Sequence, residues 1–162
     1  MNTPATPLNP LAKDIMTPEP ISVSMGTTVR ELAQILIENQ ISGVPVVDPQ
    51  DRVVGVVSKT DLLQRCLDGP VDDPDESFFV ALAEGADNWS SFELQELGTV
   101  EDFMSADPVT VLPSDSVNEV ARRMVEDRIH RVIVTDEGQH LLGIVTSLDL
   151  LLLFPDQRRQ AA

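Results

Sequence analysis

The strongest constraint on this chain is an internal repeat. Displaced by 88 positions, so that Ile15 meets Phe103, residues 15–64 lie over residues 103–152 without a gap. Met16 then meets Met104, Pro20 meets Pro108, Val29 meets Val117, Glu31 meets Glu119 and Asp48 meets Asp136. The stretch GVVSKTDLL, Gly55 to Leu63, returns as GIVTSLDLL, Gly143 to Leu151. A gapless duplication of this kind means two copies of one supersecondary unit. Each copy is too small to bury enough surface by itself, so the two are expected to bury their sheets together.

Each copy reads in the order β-α-β-β-α. Residues 20–23 predict a short first strand. Thr28-Val-Arg-Glu31 carries the hydroxyl and the glutamate of a capping box, and Ser116-Val-Asn-Glu119 repeats it. The helix that follows is predicted to reach about Asn39, with Val29, Leu32, Ala33 and Leu36 on one face. Residues 44–47 and 53–57 flank a turn at 49–51 and predict a hairpin, as do 132–134 and 141–145. A last helix starts at Ser58 in one copy and at Thr146 in the other. The expected fold class is α/β (α+β), two pseudo-twofold-related β-α-β-β-α repeats forming one module. Its expected organisation is a tail at 1–14, repeats at 15–66 and 103–154, an insert at 67–102 and a tail at 155–162.

Charge narrows the partners. The formal net charge is −16 and the pI about 4.2, which argues against nucleic acid and anionic membrane surfaces, since both require basic patches. A small phosphorylated ligand needs only a local positive field and stays open. Cys66 is the single cysteine, so no intrachain disulfide forms. Its helical, apolar setting predicts a packed thiol rather than a reactive one. With only His130 and His140 beside it, no zinc spacing exists, and no metal site is expected. The first residues lack the basic start and apolar run of a signal peptide, and no apolar run approaches the roughly 20 residues of a membrane helix. A cytoplasmic location is expected.

The insert holds eleven acidic residues and no lysine or arginine, together with Phe78, Phe79, Trp89 and Phe92. The aromatics predict a helix over 76–83 docked on the core or on a partner; the insert reads otherwise as a solvated acidic loop with one packed anchor, or as a lid or dimerisation element. Asp72, Asp73, Asp75 and Glu76 lack the ligand spacing and central glycine of a calcium loop and read as solvated charge.

The paired motifs IMTPEPISV and FMSADPVTV, ISGVPVVD and IHRVIVTD, GVVSKTDLL and GIVTSLDLL resemble a stand-alone tandem CBS-domain protein, or Bateman module. The resemblance covers about 100 of the 162 residues. It implies two clefts for an adenosyl ligand (AMP, ADP, ATP or S-adenosylmethionine), a homodimer, an unidentified regulated protein and no resident cofactor. In the first cleft it groups Ser58, Lys59 and Asp61 with Val109, Thr110, His130 and Arg131. In the second it groups Thr146 and Asp149 with Thr17, Ile21, Ser22, Ser42, Val44 and Pro45. The resemblance assigns the ribose diol to Asp61 and Asp149, and the phosphate or ribose side to Ser58 and Thr146. The residues themselves read more simply, because Ser58-x-x-Asp61 and Thr146-x-x-Asp149 are helix starts with a hydroxyl N-cap and an acid at N3. His130 and Arg131, aligned with Ser42 and Gly43, favour the first cleft for a phosphorylated ligand. Ile133 replaces Pro45 there, a departure from the family pattern that is expected to reshape the base pocket. No nucleophile or acid–base constellation is present, so no enzyme activity is expected. The alternatives are a ligand-free interaction and dimerisation module, or an S-adenosylmethionine binder.

Overall fold

The computed structural model describes residues 9–68 and 97–154. The helix expected over 76–83 and the aromatics Phe78, Phe79, Trp89 and Phe92 lie outside the described residues. In chain order the elements are α1 (Ala12–Ile15), β1 (Thr17–Pro18), β2 (Val23–Ser24), α2 (Val29–Glu38), β3 (Gly43–Val47), β4 (Val53–Ser58) and α3 (Lys59–Leu67). A 3₁₀ turn (Val100–Asp102), β5 (Ser105–Ala106), β6 (Thr110–Val111), α4 (Val117–Glu126), β7 (Arg131–Thr135), β8 (Leu141–Thr146) and α5 (Ser147–Leu151) follow. The mixed α/β class expected from the repeat is what these elements build.

The chain divides into two compact units. A central unit spans Ile21–Pro108, and a terminal unit joins Met1–Pro20 to Val109–Ala162. Each holds one four-stranded sheet, ordered β2-β3-β4-β5 in the central unit and β1-β8-β7-β6 in the terminal one. The two sheets match strand for strand under the 88-residue displacement. β2-β3 and its match β6-β7 are parallel, and the other pairs are antiparallel. Both hairpins carry a register irregularity at the same place, Val46/Val47 and Val134/Thr135.

Neither sheet is closed by its own stretch of sequence. β1, just ahead of the first repeat's core elements, is the edge strand of the terminal sheet, with Thr17 opposite Ile144 and Pro18 opposite Gly143. β5, just ahead of the second repeat's core elements, is the edge strand of the central sheet, with Gly55 opposite Ala106 and Val56 opposite Ser105. The absence of a Cβ at Gly55 and Gly143 makes this possible. A Cβ built on Gly143 would meet Met16 Sδ at 2.5 Å and the Thr17 carbonyl at 3.0 Å. One on Gly55 would meet Met104 Sδ at 2.6 Å and the Ser105 carbonyl at 3.0 Å.

Local chemistry explains most of the rest. In α2, Thr28 Oγ1 accepts from the Glu31 N–H at 3.3 Å and Glu31 Oε2 accepts from the Thr28 N–H at 2.9 Å, so the predicted box is complete. The Thr28 N–H, and then its hydroxyl, hold the Glu31 carboxyl below its ordinary range. The equivalent box on α4 forms only in half. Ser116 Oγ accepts from the Glu119 N–H at 3.2 Å, but the Glu119 carboxylate is taken by Arg122 at 2.6 Å and Arg123 at 2.9 Å. Gln34 and Ile35 occupy those places in α2, so no guanidinium competes there. Arg122 first, then Arg123, pull the Glu119 carboxyl down to about 2.

Both long helices end alike. Gln40 and Arg128 adopt positive φ of 53° and 54°, and their N–H groups reach Ile37 and Val125 carbonyls while Ile41 and Ile129 reach Leu36 and Met124. These are Schellman ends, built here without glycine. The other non-glycine positive-φ residues, Glu19 and Asp107, Asp51 and Gln139, are also pairs 88 apart. The backbone is thus duplicated even where the side chains have diverged.

The two cores are not equally full. In the central unit Leu32, Leu36, Leu62, Cys66, Leu97 and Val100 are sealed from solvent. In the terminal unit no residue of α5 is fully buried, Leu150 packing on the core only in part, and Asn9 stands where the displacement puts Leu97. A cavity of about 300 Å³ opens at that point, between Asn9, Val117, Ala121, Leu150 and Leu153. Burial of Cys66 pushes its thiol up to about 11, which leaves it a packing group at neutral pH.

Gly55→Ala and Gly143→Ala are each expected to lower the unfolding free energy by about 1–3 kcal/mol. Combining Gly143→Ala with Met16→Ala is expected to cost less than the two singles added. Urea unfolding measures this, and strict additivity would show that Met16 does not pack on Gly143.

Candidate functional site

The two junctions singled out in the sequence are the same object built twice. In the central unit β4 ends at Ser58, which caps α3. Ser58 donates to Asp61 Oδ2 from its N–H at 2.7 Å and from its hydroxyl at 2.6 Å, and its Oγ accepts from the Asp61 N–H at 3.3 Å. In the terminal unit β8 ends at Thr146, which caps α5. The corresponding distances to Asp149 are 2.7, 2.9 and 3.4 Å. The helix-start reading is therefore satisfied at both places.

That geometry also prepares each carboxylate for a second task. Oδ2 takes both internal bonds, which fixes the plane of the group. Among the described residues Oδ1 carries no bond in either junction. A carboxylate has about four acceptor positions, so the free oxygen can take the two hydroxyls of a diol while the cap stays intact. Both junctions are partly open to solvent rather than sealed.

The start of each hairpin lies alongside. The Lys59 N–H donates to the Ser42 carbonyl at 3.0 Å, and Gly43 pairs with Ser58. The Ser147 N–H donates to the His130 carbonyl at 2.9 Å, and Arg131 pairs with Thr146. The central unit thus brings together Ser42, Ser58, Lys59 and Asp61. The terminal unit brings together His130, Arg131, Thr146 and Asp149. Within the central unit also lie Ile21, Ser22, Val44 and Pro45; Val44 and Pro45 are buried, with Val44 in the hydrophobic core, and Ile21 is 43% exposed. Within the terminal unit lie Thr17, opposite Ile144, and Val109 and Thr110, next to Ile133. Each group of residues that the sequence assigned to one cleft is thus drawn from both units.

One asymmetry escaped the sequence. The Ile133 N–H donates to the Val109 carbonyl at 3.4 Å, and Thr110 pairs with Ile133. Pro45, at the matching place, has no N–H, and pairing of β2 with β3 begins one residue later, at Val23 opposite Val46. The signal was visible as a proline inside a predicted strand, where it is tolerated only when its ladder position is vacant. Among the described residues no group of three or more His, Cys, Asp or Glu side chains gathers to hold a metal, and no helix is long and apolar enough to cross a membrane.

Comparison with known proteins follows these features closely. The sequence pattern of the CBS domain matches residues 12–68 and 100–156, two segments again 88 apart, so the chain belongs to the CBS-domain family as a pair of repeats. It is 29% identical over 154 residues to L-aspartate semialdehyde sulfurtransferase of Methanocaldococcus jannaschii, covering 95% of this chain and 24% of that protein. It is 32% identical over 142 residues to the chloroplastic CBS domain-containing protein CBSX2 of Arabidopsis thaliana, covering 82% of this chain and 58% of that one. It is 29% identical over 117 residues to the gamma-3 subunit of human 5'-AMP-activated protein kinase, covering 72% and 21%. The chain therefore spans only part of these relatives. Among solved structures, the CBS domain pair of protein MJ0100, in complex with 5'-methylthioadenosine and S-adenosyl-L-methionine, superposes with a TM-score of 0.68 at 29% identity over 90% of this chain and 96% of that one. CBSX2 in complex with AMP gives a TM-score of 0.68 at 25% identity, over 89% and 95%.

Asp61→Ala and Asp149→Ala are each expected to destabilise by about 1 kcal/mol through loss of the acid of the box, with Asn substitutions milder. Urea unfolding reads the difference, and alanine variants as stable as wild type would contradict the observed caps.

Proposed function

We propose that this protein is a regulatory module that binds an adenosyl ligand, AMP, ADP or ATP, and passes the bound state to a partner protein. The observation that carries the reading is the pair of capped aspartates, each with Oδ2 committed to its own helix start and Oδ1 open to a ribose diol. The adenosyl ligands in the structures of the MJ0100 pair and of CBSX2 support it, as does the kinase regulatory subunit among the relatives. Arg131, at the same end of its hairpin as Thr146, supplies a permanent positive charge for phosphate, and Lys59 supplies one beside Ser58. Chemistry is no part of the reading, which assigns the protein no enzymatic step. A ligand moves such a module only by binding one of its conformations more tightly than another.

A second reading rests on a different observation. Leu148, Leu151, Leu152 and Phe154 are 63–80% exposed on α5 and the residues after it. An apolar face of that kind suits a protein-interaction module, including a homodimer.

Calorimetric titration of AMP, ADP, ATP and S-adenosylmethionine into wild type, Asp61→Asn and Asp149→Asn separates the two. Adenosyl sensing predicts a submillimolar Kd for at least one ligand, weakened about tenfold or more by one of the substitutions. Absence of binding below millimolar concentration, or binding indifferent to both substitutions, would leave the interaction module as the better account.

A further inference from the structure

Independently of any ligand, we infer that Leu8 docks into the cavity between α4 and α5, filling in the terminal unit the place that Leu97 fills in the central one. The duplication supplies the comparison. In the central unit Leu97 is 1% exposed, and Val29, Ala33 and Leu62 of the same cluster are no more exposed than that. Their counterparts Val117, Ala121 and Leu150 line the cavity of about 300 Å³. Val117 is 9% exposed there, and Ala121 and Leu150 are partly open. What the terminal unit lacks is the leucine, because Asn9 holds its place. Leu153 stands where the central unit has Arg65, whose Nε donates to the Leu97 carbonyl at 2.8 Å, so the cavity wall is the more apolar of the two. An aliphatic cavity of this kind is costly to leave empty.

The backbone explains why the leucine moves by one residue. Leu97 is followed by Gly98 at a φ of 80°, whereas Asn9 is followed by Pro10, whose ring holds φ at about −65°. Proline cannot follow the glycine's path, so the chain enters the terminal unit from another direction. Asn9 is accordingly exposed. A residue before proline is confined to extended backbone, and neighbouring side chains on extended backbone point to opposite sides. With Asn9 turned to solvent, the residue before it is aimed at the protein. The Val117 N–H donates to the Pro10 carbonyl at 3.0 Å, which holds this stretch at the mouth of the cavity. The other end of the chain offers no rival. Phe154, on the opposite rim, is 80% exposed, and residues 155–162 hold no large apolar side chain. α5 lends Leu150 to the cavity wall and Asp149 to the terminal junction, so a seated Leu8 steadies the helix that presents Asp149.

The test is a double-mutant cycle of Leu8→Ala and Ala121→Leu, read by thermal unfolding and amide hydrogen exchange. Leu8→Ala is expected to lower the Tm by about 5 °C, the scale of a leucine truncated in a partly open apolar site of a chain this long. It is also expected to speed exchange of the α5 amides about tenfold and to leave those of α3 unchanged. Ala121→Leu fills the cavity from its α4 wall. It is expected to lower the Tm of wild type, where Leu8 already occupies the space, and to raise that of the Leu8→Ala variant. A Leu8→Ala variant that unfolds and exchanges like wild type overturns the docking. Equal shifts by Ala121→Leu in both backgrounds overturn it too, because the cavity would then be empty in wild type and open to an occupant from another molecule.

Discussion

Everything in this structure depends on the exchange of edge strands between distant parts of the chain. Gly143 receives Met16 and the Thr17 backbone, and Gly55 receives Met104 and the Ser105 backbone. A side chain at either glycine would hold the edge strand away. Without these strands each sheet would end at its hairpin, leaving β4 or β8 as an open edge. The exchange also brings Ala12 and Val100 into the two cores, where both are fully buried. The methionine-proline stretch that recurs in both repeats is thus a structural clamp before it is anything else.

The site follows from the strands so completed. β4 and β8 each run into a helix capped by a hydroxyl, and the acid that finishes the cap does so with Oδ2, leaving Oδ1 without a bond among the described residues. In the proposed reading, one residue in each repeat serves stability with one oxygen and the ligand with the other. What differs between the repeats is the neighbourhood. Lys59 belongs to the central unit, and Arg131, with the Val109 carbonyl bonded to the Ile133 N–H, to the terminal unit. A duplicated backbone with diverged surroundings is suited to two sites of unequal preference.

Much of this was legible in the sequence because it is local. The capping boxes, the hairpins and the amphipathic α2 depend on spacings of two to four residues. The displacement by 88 converted weak local signals into a matched set. What was not legible depends on contacts far apart in the chain. Two-residue strands have no periodicity, so β1 and β5 left no trace beyond a methionine and a glycine recurring in both copies. The Ser116–Glu119 box failed because Arg122 and Arg123, one turn on, bind the carboxylate more strongly than the backbone N–H does. Among the candidate site residues, Ser58, Asp61, Thr146 and Asp149 were identifiable from type and spacing.

The strand exchange is tested most directly by nuclear Overhauser measurements on methyl-labelled methionines. The account predicts cross-peaks from the Met16 methyl to the Gly143 Hα protons and from the Met104 methyl to the Gly55 Hα protons. Cross-peaks joining Met16 to Gly55 and Met104 to Gly143 instead would contradict it, because each repeat would then complete its own sheet.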